Sequence, residues 1–422
     1  MKHRILLKGP FLSLSGYGYQ ARFALEAIRS RADLFDIYIQ NVGWGQTSWL
    51  TDDKQRQWIE EKIRKTIAYS QSGGKFDVNL QITIPNEIEQ NAPVNILYTA
   101  GIETTQVAPA WLQAIQNIDK MIVVSSHSKQ IFENTTYEIK NQHEQTVGNL
   151  KCETPIDVVN YCVGDTKVAN PKLSLDYEFN FLTMAQWGPR KDVETLINSF
   201  LREFWNEEVG LVIKTFIKNT SLSDRRRTQQ RLENMIANID LPKDEKKCKV
   251  HLVHGAMSRE ELDGLYQNPN IGAFITTTHG EGFGLSMFES AYNAVPVVAP
   301  GWSGHMDFLC IGSNKKFTDV EFHLQPIQKE AVWEGVLQEG AMWSYVNPSD
   351  FRKKIRYVYN NQEECNTQAK VLQEHLLENF TPEKKYGEFV DSVLSVLDDL
   401  NLSNEDIDSW LDDMGVDLIE AD

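Results

Sequence analysis

The segment "ITTTHGEGFGLSMFESA", residues 275–291, closes an apolar run, sets glycines at 280, 282 and 284, and enters an apolar, helix-like stretch. It reads as a strand end, a glycine-rich loop and a helix start. Unpaired backbone N–H groups at such a helix start, with the positive end of its dipole, make a seat suited to phosphate. Two glutamates bracket the turn: Glu281 in the loop and Glu289 about two helical turns on. A phosphate in the seat would repel Glu281, which therefore belongs to one side, where a carboxylate accepts hydrogen bonds from hydroxyls. Glu289 then faces the same cleft at a second height. The spacing suits a ligand with hydroxyls at both ends and a phosphate between, the shape of a nucleoside-diphosphate sugar. Read without a ligand, it is a glutamate complementing the helix dipole and an unrelated surface glutamate.

The same alternation runs outward in both directions. Upstream, "RILLK" (4–8), a glycine-containing turn through "SGYG" (15–18) and "YQARFALEAIRS" (19–30) read as strand, turn and helix. They are followed by "FDIYIQ", "VNILYT", "APAWLQAIQNI" and "KMIVVSS". A second series opens at "FNFLTMA" (179–185) and continues through "VGLVIKTF" (209–216), "CKVHLVHG" (248–255) and "VPVVAP" (295–300). Continuous apolar strands alternating with helices imply parallel sheets covered on both faces. The polar stretch "GDTKVANPKLSLDY" (164–177) holds Gly and Pro between the two series and reads as the hinge. The expectation is an α/β protein of two doubly wound, Rossmann-like domains, 1–170 and 171–385, with ligands in the cleft at the carboxyl ends of their strands. A helix over 386–402 and an acidic tail over 403–422 complete the chain.

A length of 422 residues exceeds one compact core. The five cysteines include no Cys-x-x-Cys pair, which disfavours a zinc knuckle or a disulfide framework and points to a reducing, cytoplasmic setting. No run of 18 apolar residues is present, so no integral membrane contact is expected. Net charge is −17; eight of the acids fall in residues 403–422, which carry no Lys or Arg, leaving −9 on the body. That balance disfavours a globally basic nucleic-acid binder. In the tail, Ile407, Trp410, Leu411, Met414 and Leu418 recur at roughly helical spacing in an acidic field. This is the pattern of a segment that docks into a groove on a protein partner, or of a solubilising tail.

Arg190 and Lys191 in "MAQWGPRKDVETLI" (184–197) follow a strand and precede a helix, in place to neutralise a diphosphate leaving group, and Lys214 adds a third cation. Together "QWGPRKDVETLI", "HGEGFGLSMFESAYNAVPVVAPGWSGHMDFL" and "YTAGIETTQVAPAWLQAIQNIDKMIVVSSHSKQIF" resemble the retaining GT-B glycosyltransferases of family 4. The likeness covers about residues 4–20, 95–165 and 178–310, and the Glu-seven-residues-Glu element is its most specific part.

The resemblance implies a retaining, metal-independent transferase that uses a UDP- or GDP-linked sugar as co-substrate, takes no other cofactor, and acts on a hydroxyl-bearing acceptor. The acceptor is left open among a glycan, a protein and a modified nucleobase. In that frame Glu281 holds donor-sugar hydroxyls, Glu289 the ribose hydroxyls, and Arg190 with Lys191 the diphosphate. Backbone N–H groups of Gly282, Phe283, Gly284 and Leu285 approach sugar and phosphate. Gly16, Tyr17 and Gly18 form a first-domain loop over the pyrophosphate, and His254 and Gly255 hold the base. Glu103 and His127 stand on the acceptor side, Glu103 reading equally well as a helix cap. The chain departs from the family at Gln186, where many members carry Arg, which implies a weaker clamp on the diphosphate. His279 is assigned no role.

Two other readings compete. "GYGYQA" (16–21) fits a loose dinucleotide fingerprint of an NAD-dependent Rossmann oxidoreductase, but that fingerprint wants an acid at the end of the second strand, where Gln40 and Asn41 stand. A non-catalytic nucleotide-sugar-binding protein would keep the fold without the chemistry.

Overall fold

The computed structural model describes residues 2–51, 54–164, 168–241 and 245–413. In the first domain, β1 (His3–Gly9), α1 (Gly16–Ser30), β2 (Phe35–Asn41), α2 (Lys54–Gln71), β3 (Val78–Ile82) and β4 (Val94–Thr99) lead to α3 (Pro109–Ala114) and β5 (Lys120–Val123). Helix α4 (Ser126–Asn134), an antiparallel hairpin of β6 (Thr136–Lys140) and β7 (Thr146–Lys151), and β8 (Ile156–Val158) follow. The main sheet is parallel, in the order β2-β1-β3-β4-β5-β8. Strands β3 and β4 are buried at every residue, as sheet centres covered by helices on both faces must be.

The second domain runs β9 (Asn180–Gln186), α5 (Val193–Phe204), β10 (Gly210–Phe216), α6 (Leu222–Ala237), β11 (Lys249–Val253), α7 (Arg259–Tyr266) and β12 (Ile271–Ile275). It continues through α8 (Leu285–Tyr292), β13 (Val297–Pro300), α9 (Met306–Leu309), the short ladder of β14 (Cys310–Ile311) with β15 (Asn314–Lys315), and β16 (Thr318–Val320). Its parallel sheet has the order β11-β10-β9-β12-β13-β16. The order in which the chain adds strands to the sheet reverses between the parallel neighbours β9 and β12, and it is outside the carboxyl ends of such a pair that open α/β sheets bind ligands.

An antiparallel arm, β17 (Phe322–Pro326) with β18 (Met342–Val346), stands outside the second sheet. It reaches the other domain: the Thr105 N–H donates to the Met342 carbonyl at 2.9 Å, and Val336 is buried in the first domain's apolar cluster. Helices α10 (Pro348–Asn360) and α11 (Gln362–Asn379) precede α12 (Pro382–Asp413). The helix expected over 386–402 is therefore longer at both ends. It crosses back to the first domain, where the Phe389 ring meets Phe23 at 5.9 Å and Tyr98 at 4.9 Å. Backbone helix continues to Asp413, so the first part of the acidic segment extends α12; residues 414–422, with the rest of that expectation, lie outside the described residues.

The two domains are closed on each other. Phe283 of the second packs edge-on against Tyr161 of the first at 4.9 Å, inside one apolar cluster that crosses the boundary. Ser48 and Thr220 hydroxyls meet at 2.7 Å, and Asp307 accepts from the Ser126 N–H at 2.8 Å and from Asn160 at 3.0 Å. Among the described residues no helix is long and apolar enough to cross a membrane.

Candidate active site

Strand β9 ends at Gln186, and the chain makes one short 3-10 turn, Pro189–Lys191, before α5. Asp192 caps α5 in the left-handed region, φ 45°, its carboxylate accepting from the Thr195 N–H at 3.4 Å. This tight entry fixes Arg190 and Lys191 beside the loop that leaves β12. The switch point of the sheet thereby brings the two cations and Glu281 together.

Glu281 is almost fully enclosed. Lys191 Nζ lies 2.5 Å from its Oε1 and Arg190 Nη1 3.0 Å from its Oε2, while the Thr278 hydroxyl donates to Oε1 at 2.8 Å. Arg190 Nη1 also donates to the Gly280 carbonyl at 2.6 Å, and its Nε stands 3.4 Å from Glu103 of the first domain. Burial by itself would raise the Glu281 carboxyl; Lys191 and Arg190 outweigh it and hold the group well below the usual carboxylate range. Burial and the adjacent Arg190 push Lys191 down while Glu281 pushes it up. Of the pair, the carboxylate has the more firmly fixed charge, because two cations face it.

Glycine is required in this loop by close approach. A Cβ on Gly282 would fall 2.4 Å from the Ala100 carbonyl oxygen, and one on Gly280 would fall 2.5 Å from that of Glu103. Gly284 caps α8 at φ 99°. The first N–H groups of α8, starting at Leu285, have no acceptor within the helix. The Phe283 side chain is core, against Tyr161, Phe288 and Phe308.

Glu289 occupies a second environment. Its carboxylate bonds the Arg259 guanidinium and accepts from the Tyr266 hydroxyl at 3.0 Å. Arg259 is shared with Asp263, one turn along α7, whose Oδ2 lies 3.0 Å from Arg259 Nε. One cation thus serves two buried carboxylates. Burial, incompletely offset by Arg259 and reinforced by Asp263, raises the Glu289 carboxyl above its ordinary value.

The remaining expected residues divide. Glu103 is at the site, through Arg190. Lys214 donates to the Gly255 carbonyl at 3.0 Å, with burial lowering its basicity. His254 is held by Asp224 of α6 at 3.0 Å, its side chain 2% exposed, so its ring is engaged in the wall of the domain. Gly16, Tyr17 and Gly18 form not a loop but the first turn of α1, where the Ser15 hydroxyl accepts from the Gly18 N–H at 3.1 Å. The Tyr17 hydroxyl is bonded to Thr99 at 3.0 Å and its ring lies on Trp44. Gln186 donates to the Ile217 carbonyl at 2.9 Å. His279, buried between Trp343 and Tyr345 with Nδ1 2.6 Å from the Ser344 carbonyl, joins the site loop to the arm.

Sequence reading did not find Arg259, Tyr266, Thr278 or Ser303, whose hydroxyl accepts from the Glu281 N–H at 2.8 Å. The i,i+4 pair Arg259–Asp263 was the one available signal. The others approach through folding alone.

No family profile and no curated protein matches the chain. Among solved structures it is similar to sucrose-phosphate synthase from Thermosynechococcus elongatus (TM-score 0.62, 12% identity, 94% of this chain and 99% of that one). It is also similar to Anabaena HepE, solved with UDP and glucose (TM-score 0.59, 12% identity, 93% and 100%). A glycosyltransferase from Rickettsia africae aligns at TM-score 0.58 and 14% identity over 94% and 99%. With its two facing Rossmann-like sheets, the chain has the α/β GT-B fold.

Proposed function

We propose that the chain transfers a sugar from a nucleoside-diphosphate sugar to an acceptor hydroxyl, with retention at the anomeric carbon and without a metal ion. The observation that carries this reading is the convergence of Arg190, Lys191 and Glu281 at the switch point of the second sheet, against Glu103 of the first domain. HepE, of the same fold, is solved with UDP and glucose, which supports a UDP-linked donor; a GDP-linked one fits the same cations.

In this mechanism the sugar's anomeric carbon breaks its bond to the β-phosphate oxygen and forms one to the acceptor oxygen on the same face. The acceptor's proton passes to the departing phosphate oxygen. Negative charge grows on that phosphate, and Arg190 with Lys191 stabilise it together with the N–H groups at the start of α8. Their present partner, Glu281, is then released toward sugar hydroxyls, with Glu289 directed toward the ribose. No protein nucleophile is required.

The oxidoreductase alternative gains no support at the end of β2. Asn41 stands where the ribose-binding acid is wanted, and its side chain accepts from the Leu12 N–H at 3.1 Å. A thermal-shift panel of UDP-glucose, UDP-galactose, GDP-mannose and NAD separates the readings. A donor at 100 times its Kd stabilises by about 2.7 kcal/mol. A shift with NAD alone overturns the proposal.

A further inference from the structure

Beside Gly280 the two domains set two aromatic rings against each other, each with an unpartnered nitrogen. His127 comes from the first turn of α4, and Trp302 from the loop after β13. Their rings meet edge to face with centroids 4.9 Å apart. Trp302 Nε1 and His127 Nε2 are both shut off from solvent and have no hydrogen-bond partner. Trp302 Nε1 lies 3.3 Å from where a Cβ on Gly280 would stand, next to the Glu103 side chain. The carbonyl of that same Gly280 is bonded by Arg190. The unpartnered pair therefore borders the Glu281 cluster and not the Arg259–Glu289 end of the site. A buried polar atom without a partner is destabilising, so two of them on adjoining rings at a ligand site ask for an occupant.

The chemistry of the two atoms narrows what that occupant is. An indole N–H only donates. The Thr104 backbone hydrogen-bonds the His127 ring in the sense that favours a ring N–H, and, since Nε2 has no partner, that bond falls to Nδ1. Burial keeps the ring neutral, which leaves Nε2 as an acceptor. One donor and one acceptor on adjoining rings complement an alcohol, which accepts once and donates once. A phosphate or carboxylate oxygen satisfies only the indole, and an ammonium only the imidazole.

We propose that Trp302 and His127 together bind one hydroxyl of the transferred sugar in the closed arrangement of the domains, and select the donor by that hydroxyl. The inference rests on the donor seat proposed above and deepens it. Because one partner comes from each domain, recognition of the sugar is coupled to closure: neither half alone meets both lone pair and proton of the hydroxyl.

The test uses the full chain and isothermal titration with UDP, GDP, UDP-glucose, UDP-galactose and GDP-mannose, then with monodeoxy forms of whichever sugar binds. Trp302→Phe keeps the ring packing and removes the N–H. It is expected to bind UDP as the wild type does and to lose about three- to tenfold in affinity for the nucleotide sugar. His127→Phe, on the other domain, should do the same. For one deoxy donor, wild type and both variants should bind alike. Equal sugar-to-UDP affinity ratios in the wild type and both variants would overturn the inference while leaving the donor site standing. Loss that appears with a deoxy acceptor and not with any deoxy donor would overturn it in favour of acceptor recognition. If UDP, GDP, UDP-glucose, UDP-galactose and GDP-mannose all fail to bind the wild type, or bind Arg190→Ala unchanged, the donor seat itself is refuted.

Discussion

Glu281 and Glu289 belong to one loop-helix element, yet their surroundings push them in opposite directions. Glu281 meets two cations, Arg190 and Lys191, and is held far into its ionised form. Glu289 shares one, Arg259, with Asp263, and burial raises it. The count of positive groups per buried carboxylate, and not depth, decides the sign. At the first end two cations stand between Glu281 and Glu103, and under the proposed function an incoming diphosphate takes the place of the Glu281 carboxylate. At the second the charge is already short of balance, and the end suits neutral hydroxyls.

The largest effect that sharpens the contrast is on stability. Glu281→Gln leaves Lys191 without its carboxylate and Arg190 with Glu103 alone, and is expected to lower the unfolding free energy by about 3 kcal/mol, read by denaturant melts. Glu289→Gln should lower it by about 1 kcal/mol, since Arg259 keeps Asp263. Equal losses would break the comparison. On activity, Arg190→Ala should reduce kcat by about 10²–10³-fold through the departing phosphate. Arg259→Ala should act mainly on KM, because its partner touches the part of the donor that does not react.

A smaller loss, about 1–3 kcal/mol, is expected for Gly282→Ala, whose new methyl meets the Ala100 carbonyl across the junction. Small-angle scattering should then show a more open particle.

The smallest effect is in the pH dependence of Tm. The Glu281 carboxyl is depressed on folding, so its contribution is present above the ordinary carboxylate value of about 4.3 and is lost as pH falls below it. The Glu289 carboxyl is raised, so just above that value it favours the folded state as pH falls. His127 and His279, both lowered to about 4 by burial, bind protons in the unfolded chain first and destabilise the fold as pH drops from about 6.5 toward 4. Glu281→Gln should flatten the acid limb below pH 4.3, whereas Glu289→Gln should steepen the fall just above it.

Much of this was legible in the residue order, for physical reasons. Parallel strands buried on both faces must be continuous apolar runs, so β9, β10 and β12 stand out. The residues just past their ends, Arg190, Lys191 and Glu281, fall at the sheet's switch point without further information. What escaped depends on partners far away in the chain. Nothing near Glu289 shows that Arg259 and Tyr266 reach it from α7, and nothing near His254 shows that Asp224 claims its ring. The turn read at Gly16–Gly18 is helical because Ser15 caps it, a role the glycines conceal. The arm of β17 and β18 lies in the stretch where the family resemblance fades, and its ties to Thr105 and His279 arise only through tertiary contact.

The most direct test is a crystal structure of the chain with its bound nucleotide sugar. The β-phosphate should lie within about 3 Å of Arg190 and Lys191, with Glu281 turned from those cations to the sugar's hydroxyls. A donor bound outside the junction of the two domains, or a diphosphate that leaves the Glu281–Arg190–Lys191 cluster intact, would contradict the account.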